Sequence, residues 1–163
     1  MKSMLIIVLL VTTSITHAQD FIVPAVEFTT KEDYTKTEKD IINAAKWLES
    51  TPIGKDDSKR VQVNAFVLKW ITGSPTVSVE INKICSDLSE KNAHLLAVFL
   101  ASYCRYALEN NYSKDKVQGY TAGIKSMINC YKLGGDIKKN KLLEKAVAAD
   151  KDGKLEEWVK ENM

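Results

Sequence analysis

KNAHLLAVFLASYCRYALEN, residues 91–110, is the stretch that decides the fold of this chain. Ala97, Leu100, Ala101, Cys104 and Leu108 recur at helical spacing. Leu96, Phe99 and Tyr103 widen that stripe until most of the circumference is apolar. A surface helix shows one apolar stripe, whereas a helix this apolar must be covered on several sides. The segment predicts a helix surrounded by other helices.

Those neighbours can be read outward from it. Ser113 or Lys114 opens a helix with Val117, Tyr120, Ile124, Met127, Ile128 and Tyr131 facing in. Gly134-Gly135 closes it, because a left-handed residue commonly ends a helix. Upstream, Ile41, Ala45 and Leu48 mark a helix that begins near Thr35 and stops at Thr51-Pro52. The next, capped by Asp57 or Ser58, carries Val63, Phe66, Val67, Trp70 and Ile71. Ala65 and Leu68 make its other side apolar too, which predicts a central position. Ser74-Pro75 reads as a cap followed by a first-turn proline. Val77, Val79 and Ile81 alternate as in a strand, but Val77, Ile81, Ile84, Cys85 and Leu88 fit one helix face, and the cap decides for helix. A basic helix at 138–150 presents Leu142, Leu143, Ala146 and Val147. Asp152-Gly153 breaks it, and a short last helix carries Leu155, Trp158 and Val159. Only seven glycines and three prolines occur, which disfavours a turn-rich β fold. The expected class is all-α: a single-domain bundle of six or seven helices over residues 35–163. Residues 19–34, with Phe21, Val23 and Phe28, read as an extended N-terminal arm lying across it.

Residues 1–18, MKSMLIIVLLVTTSITHA, have the layout of a secretory signal peptide: Lys2 in the n-region, an apolar run from Leu5 to Val11, and a small residue at Ala18. Cleavage is expected between Ala18 and Gln19. The run is too short to span a bilayer, which needs about 20 residues, and no cysteine follows it for lipid attachment. The expected product is exported, periplasmic or secreted, with no transmembrane anchor after signal removal. Its formal charge falls from +2 to +1 with the loss of Lys2, so no basic surplus argues for nucleic acid.

Few residues of the mature chain suit catalysis. His17 leaves with the signal, so every histidine-dependent site would have to use His94. Cys85, Cys104 and Cys130 have no CxxC spacing; they are either three buried free thiols or one disulfide and a leftover thiol. Aligning Gly153 of Asp150-Lys151-Asp152-Gly153 with the invariant glycine of a calcium loop puts Ala148 and Val159 at ligand positions, and neither can ligate. No catalytic residue, no metal ligand and no cofactor is assigned. Gly119 and Gly123 predict close approach of a neighbouring helix or of the arm, with room for a ligand as the alternative. Lys138, Lys139, Lys141 and Lys145 read as a solvated face. Asn111-Tyr112-Ser113 is a glycosylation sequon in a loop, relevant only in a eukaryotic secretory pathway. Tyr103, Tyr106, Tyr112, Tyr120 and Tyr131 gather on two consecutive helices. They are the candidate partner surface, or else the rim of the core.

WLESTPIGKDDSKRVQVNAFVLKWITGSPTVSVEIN (47–82), YTAGIKSMINCYK (120–132) and GKLEEWV (153–159) resemble a group of small exported bacterial helical proteins. The resemblance implies export and one helical domain, fits a Gram-negative periplasm, and brings no activity or ligand with it. Three functions remain: a non-enzymatic helical module binding a protein partner in the periplasm or envelope; a small-molecule or lipid carrier with a cavity between helices; and an enzyme using a carboxylate or a thiol such as Cys104 or Cys130.

Overall fold

A computed structural model describes residues 21–163; the predicted signal peptide and its cleavage point at Ala18 and Gln19 lie outside the described residues. The chain is an all-α bundle. Its helices are α1 (Lys31–Lys36), α2 (Glu38–Ser50), α3 (Asp57–Gly73), α4 (Lys83–Ser89), α5 (His94–Glu109), α6 (Lys116–Leu133), α7 (Lys141–Lys151) and α8 (Leu155–Asn162). No strand forms among the described residues; Ile53 and Gly135 make one isolated bridge.

The apolar segment behaves as its composition requires. α5 is enclosed by α2, α3, α4 and α6, and Leu95, Val98, Phe99, Ala101 and Cys104 are completely or almost completely buried. Its tightest neighbour is α6, and two glycines allow that approach. A Cβ on Gly123 would stand 2.5 Å from the Phe99 ring, and one on Gly119 would run into the Tyr103 ring. Phe99, Tyr103 and Tyr120 then pack edge to face, with Tyr120 centred 5.2 Å from Phe99 and 5.9 Å from Tyr103. Such aromatic pairs contribute about 0.5–1.5 kcal/mol beyond their buried area. Of the two sequence readings of Gly119 and Gly123, helix approach is therefore the one realised.

Four local readings need correction. The arm is shorter than 19–34, because α1 starts at Lys31. The Asp33 carboxylate accepts from the backbone N–H of Thr30 (2.7 Å) and Thr29 (3.1 Å), which starts a helix turn there. This extra helix brings the number among the described residues to eight. Residues 21–30 do lie across the domain, Phe21 and Phe28 packing on Phe66. Second, residues 75–82 are not helical. The Ser74 hydroxyl accepts from the N–H groups of Thr76 (3.4 Å) and Val77 (3.2 Å), closing a local turn instead of capping a helix. The chain then runs straight until Asn82 caps α4 through the Cys85 N–H. Third, α3 is not central: it packs on α2 and α5, and its outer face leaves Val61 63% and Leu68 47% exposed. Fourth, α6 is opened by Asp115, which accepts from the Gln118 N–H, not by Ser113 or Lys114.

Two outcomes follow. Gly123→Ala adds about 1 kcal/mol of helix propensity, but it overpacks the α5–α6 seam, which costs about 1–3 kcal/mol. The Phe99 carbonyl oxygen 3.1 Å away cannot rotate aside, so urea unfolding should show net destabilisation. The second concerns acid. Asp33 is held down to about 2 by the Thr30 and Thr29 N–H groups. A depressed folded value adds stability that is fully present above the unfolded value of about 4 and lost as pH falls toward 2. The Thr29 and Thr30 amide NMR signals should therefore move over that window, and in Asp33→Asn this movement should disappear.

Candidate functional site

The three thiols come first because they carry the enzymatic reading. All are free and buried. Burial pushes Cys85 up to about 11, Cys104 to about 12 and Cys130 to about 11. Cys130 is the only one with a cation nearby: Arg60 pulls it down, yet desolvation dominates. A thiol held this high is not a nucleophile at neutral pH. His94 is exposed on the first turn of α5, and among the described residues no cluster of His, Cys, Asp and Glu could hold a metal.

Arg60 does structural work that its sequence position did not announce. It is fully buried. Its guanidinium donates to the carbonyls of Thr51 (2.5 Å), Pro52 (3.4 Å) and Leu48 (3.5 Å), and it lies over the Trp47 ring. It thereby satisfies the open C-terminal end of α2, where a cation suits the helix dipole. Burial lowers its pKa from the ordinary arginine value. A second polar knot joins three helices: Glu49 accepts from Arg105 (2.9 Å), Ser126 (3.0 Å) and Asn129 (2.6 Å). Every group in that knot has its partner, so we read it as a clamp.

The five tyrosines do not share one surface. Tyr106 and Tyr131 are half-buried, and Tyr106 lines a shallow groove with Lys125, Asp150 and Glu156. Tyr112 is exposed and donates to the Glu38 carboxylate at 3.0 Å. Only Tyr103 and Tyr120 meet, and both line a cavity of about 370 Å³ between residues 74–80 and the start of α6. Its other walls are Ser74, Pro75, Thr76, Val77, Ser78, Glu80, Ser113, Lys114 and Lys116.

The walls are held from outside. Glu38, at the start of α2, accepts from Thr76 (3.4 Å) on one side and from Tyr112 (3.0 Å) on the other. Asn111 and Tyr112 both take the left-handed conformation, φ +54° and +58°. That is an uncommon state for tyrosine, and the Glu38 bond holds it, carrying Ser113 and Lys114 to the cavity mouth. On the floor the Tyr120 hydroxyl donates to the Glu80 carbonyl at 2.6 Å. Lys116 pairs with the Glu80 carboxylate at 2.7 Å.

Tyr103 and Lys114 are among the donors left over. Tyr103 is only 5% exposed, and its hydroxyl has no hydrogen-bond partner among the described residues. That oxygen is not among the sealed, unpartnered side-chain atoms, which are Arg60 Nε, Asn64 Oδ1 and Ser102 Oγ. It therefore opens into the space its residue lines. Burial first, then the neighbouring Cys104, Glu80 and Asp115, raises the Tyr103 pKa, so the group stays an O–H donor. Lys114 has no ion-pair partner among the described residues. Sequence reasoning found Tyr103 and Tyr120 but missed Ser74–Glu80, Lys114 and Glu38, because the 74–82 segment was read as helix.

Comparison with family models, with curated proteins and with solved structures found no match to this chain. The candidate site thus rests on its geometry. For the thiols, no alkylation by iodoacetamide is expected in the folded protein at about pH 8, and alkylation of all three is expected in guanidinium. A thiol that reacts before unfolding would restore the nucleophile reading.

Proposed function

We propose that this chain is an exported, non-enzymatic helical binding module of the periplasm or envelope, acting on a protein partner through the cavity at Tyr103 and Tyr120. The observation that carries the reading is the Tyr103 hydroxyl: a donor on a residue 5% exposed, facing an open cavity, with no acceptor among the described residues. In the free chain that oxygen opens to the cavity and is not sealed, so an acceptor bound there would replace water as its partner. Export is supported by the layout of residues 1–18 and by the resemblance to small exported helical proteins. No helix among the described residues is long and apolar enough to cross a membrane.

The two other functions draw less support. A carrier built on Gly119 and Gly123 needs space on that face, and the rings of Tyr103 and Phe99 occupy it. A thiol enzyme needs a thiolate, and burial opposes one at Cys104 and Cys130.

Co-purification of the tagged chain from cross-linked source cells tests the reading. Ser78→Arg fills the cavity from an exposed position, and Glu161→Arg changes an exposed residue near the chain end. One dominant envelope or secreted partner should accompany the unaltered chain and Glu161→Arg, and be lost with Ser78→Arg at unchanged circular dichroism. Recovery of the chain alone, or a partner indifferent to Ser78→Arg, would overturn it.

A further inference from the structure

Residues 77–82 form an extended segment that pairs with no strand among the described residues. The segment runs from Val77 to Asn82 without helix, turn or bend, and Asn82 is extended at φ −101°, ψ −179°. Val77 is buried and Val79 half-buried, while Ser78 and Glu80 are exposed, the two-residue alternation of a strand, which ends at the 52% exposed Ile81. Val77, Val79 and Ile81 are β-branched, which suits that conformation. A strand nevertheless needs a partner, and residues 78–81 make only one backbone bond among the described residues: the Glu80 carbonyl accepts from the Tyr120 hydroxyl at 2.6 Å. The backbone N–H groups of Ser78, Val79, Glu80 and Ile81 meet no acceptor among the described residues. An exposed row of unpaired backbone groups is a template for an added strand.

The cavity lies along this edge, since residues 74–78 and Glu80 form one of its walls. Among the donors of its walls that lack a partner in the described residues are the Tyr103 hydroxyl, the Ser78 hydroxyl and the Lys114 ammonium, and the ammonium selects for an acceptor with negative charge. The neighbouring carboxylates are already engaged: Glu80 with Lys116 at 2.7 Å, and Asp115 with the Gln118 N–H at 3.1 Å. Glu38 accepts from Thr76 and Tyr112. A carboxylate offers two oxygens and forms charge-assisted bonds with the Tyr103 and Lys114 donors. An ammonium end would face Lys114 and Lys116, and an amide end would leave Lys114 without a counter-charge.

We infer that the partner adds an extended segment along residues 77–81 and places its free C-terminal carboxylate in the cavity between Tyr103 and Lys114. This rests on the binding-module reading and names the chemistry of the partner.

The test uses short random-sequence peptide mixtures, N-terminally labelled with fluorescein, that end either in a free carboxyl or in an amide. They are titrated into the exported chain and read by fluorescence anisotropy and by backbone amide NMR. The carboxyl mixture should bind at least about tenfold more tightly than the amide mixture. The amides of Ser78, Val79, Glu80 and Ile81 should shift. Tyr103→Phe removes a hydroxyl that has no acceptor among the described residues. It should keep the unfolding midpoint and lower affinity by about tenfold, as should Lys114→Gln. Equal binding of the two mixtures, no binding of either, or shifts that avoid residues 78–81 would overturn the inference. N-acetylglycine binding as tightly as the peptides would also overturn it, since that probe carries the carboxylate without the strand. Any of these results together with a partner lost in Ser78→Arg would leave the binding-module reading standing. Failure of the co-purification alone would remove that reading.

Discussion

The approach of α5 to α6 is the constraint on which the rest of the molecule depends. Two glycines one helical turn apart let the rings of Phe99 and Tyr103 lie directly on the backbone of α6. Any side chain there would push the helices apart, because protein interiors are too dense to absorb an added methyl without displacement. With the helices this close, Tyr103 is trapped between Gly119 and Tyr120, and its ring has no room to swing. The hydroxyl must then sit at the edge of the core, where the 74–80 segment and the start of α6 leave a space. The same contact that closes the core thus leaves the Tyr103 hydroxyl without an acceptor among the described residues at its border.

Elsewhere several buried polar side chains are matched to backbone groups, although Arg60 Nε, Asn64 Oδ1 and Ser102 Oγ are not. Asn92 exchanges two hydrogen bonds with the backbone of Lys138, at 2.8 and 2.7 Å. Asn140 caps α7 through the Leu142 and Leu143 N–H groups, and its amide nitrogen donates to the Asp87 and Leu88 carbonyls at the end of α4. Arg60 closes the end of α2. Helix ends expose backbone groups that water would otherwise satisfy, and in each place a single polar side chain from a distant part of the chain replaces that water. These bonds hold the irregular connections, so the bundle stays one unit without a disulfide among the described residues. The Tyr103 hydroxyl and the N–H groups of residues 78–81 differ in meeting no acceptor among the described residues while bordering an open cavity. Binding groups carried on irregular segments braced by a rigid scaffold are a common arrangement.

Much of the fold was legible in residue order. The helices from α5 to α8 lie close to where their apolar spacing put them, because a 3.6-residue period is a local property of the chain. The failures were equally physical. Val77 to Leu88 matches both a helix face and an alternating strand over its first residues. The hydroxyl of Ser74 decided the outcome by bonding to Thr76 and Val77 within its own turn. The stripe Val63, Phe66, Val67 and Trp70 did mark the covered face of α3, but Leu68 on its other side is 47% exposed and wrongly suggested a central position. The site was half legible: tyrosine content pointed at α5 and α6, but of five candidates only Tyr103 and Tyr120 come together.

Sequence alone determined the helical class, the apolar central helix, the need for close contact at Gly119 and Gly123, and the scarcity of catalytic groups. These follow from composition and short-range spacing, which act before any tertiary contact forms. The tertiary structure alone decided that Glu38 would brace both walls of a cavity, that Arg60 would end α2, and that Tyr103 would be left with a free hydroxyl. The cavity depends on residues far apart in the chain: Tyr112 bonds Glu38 across 74 positions and Tyr120 bonds Glu80 across 40. Residue spacing carries no record of such pairings, because they exist only once the helices have packed.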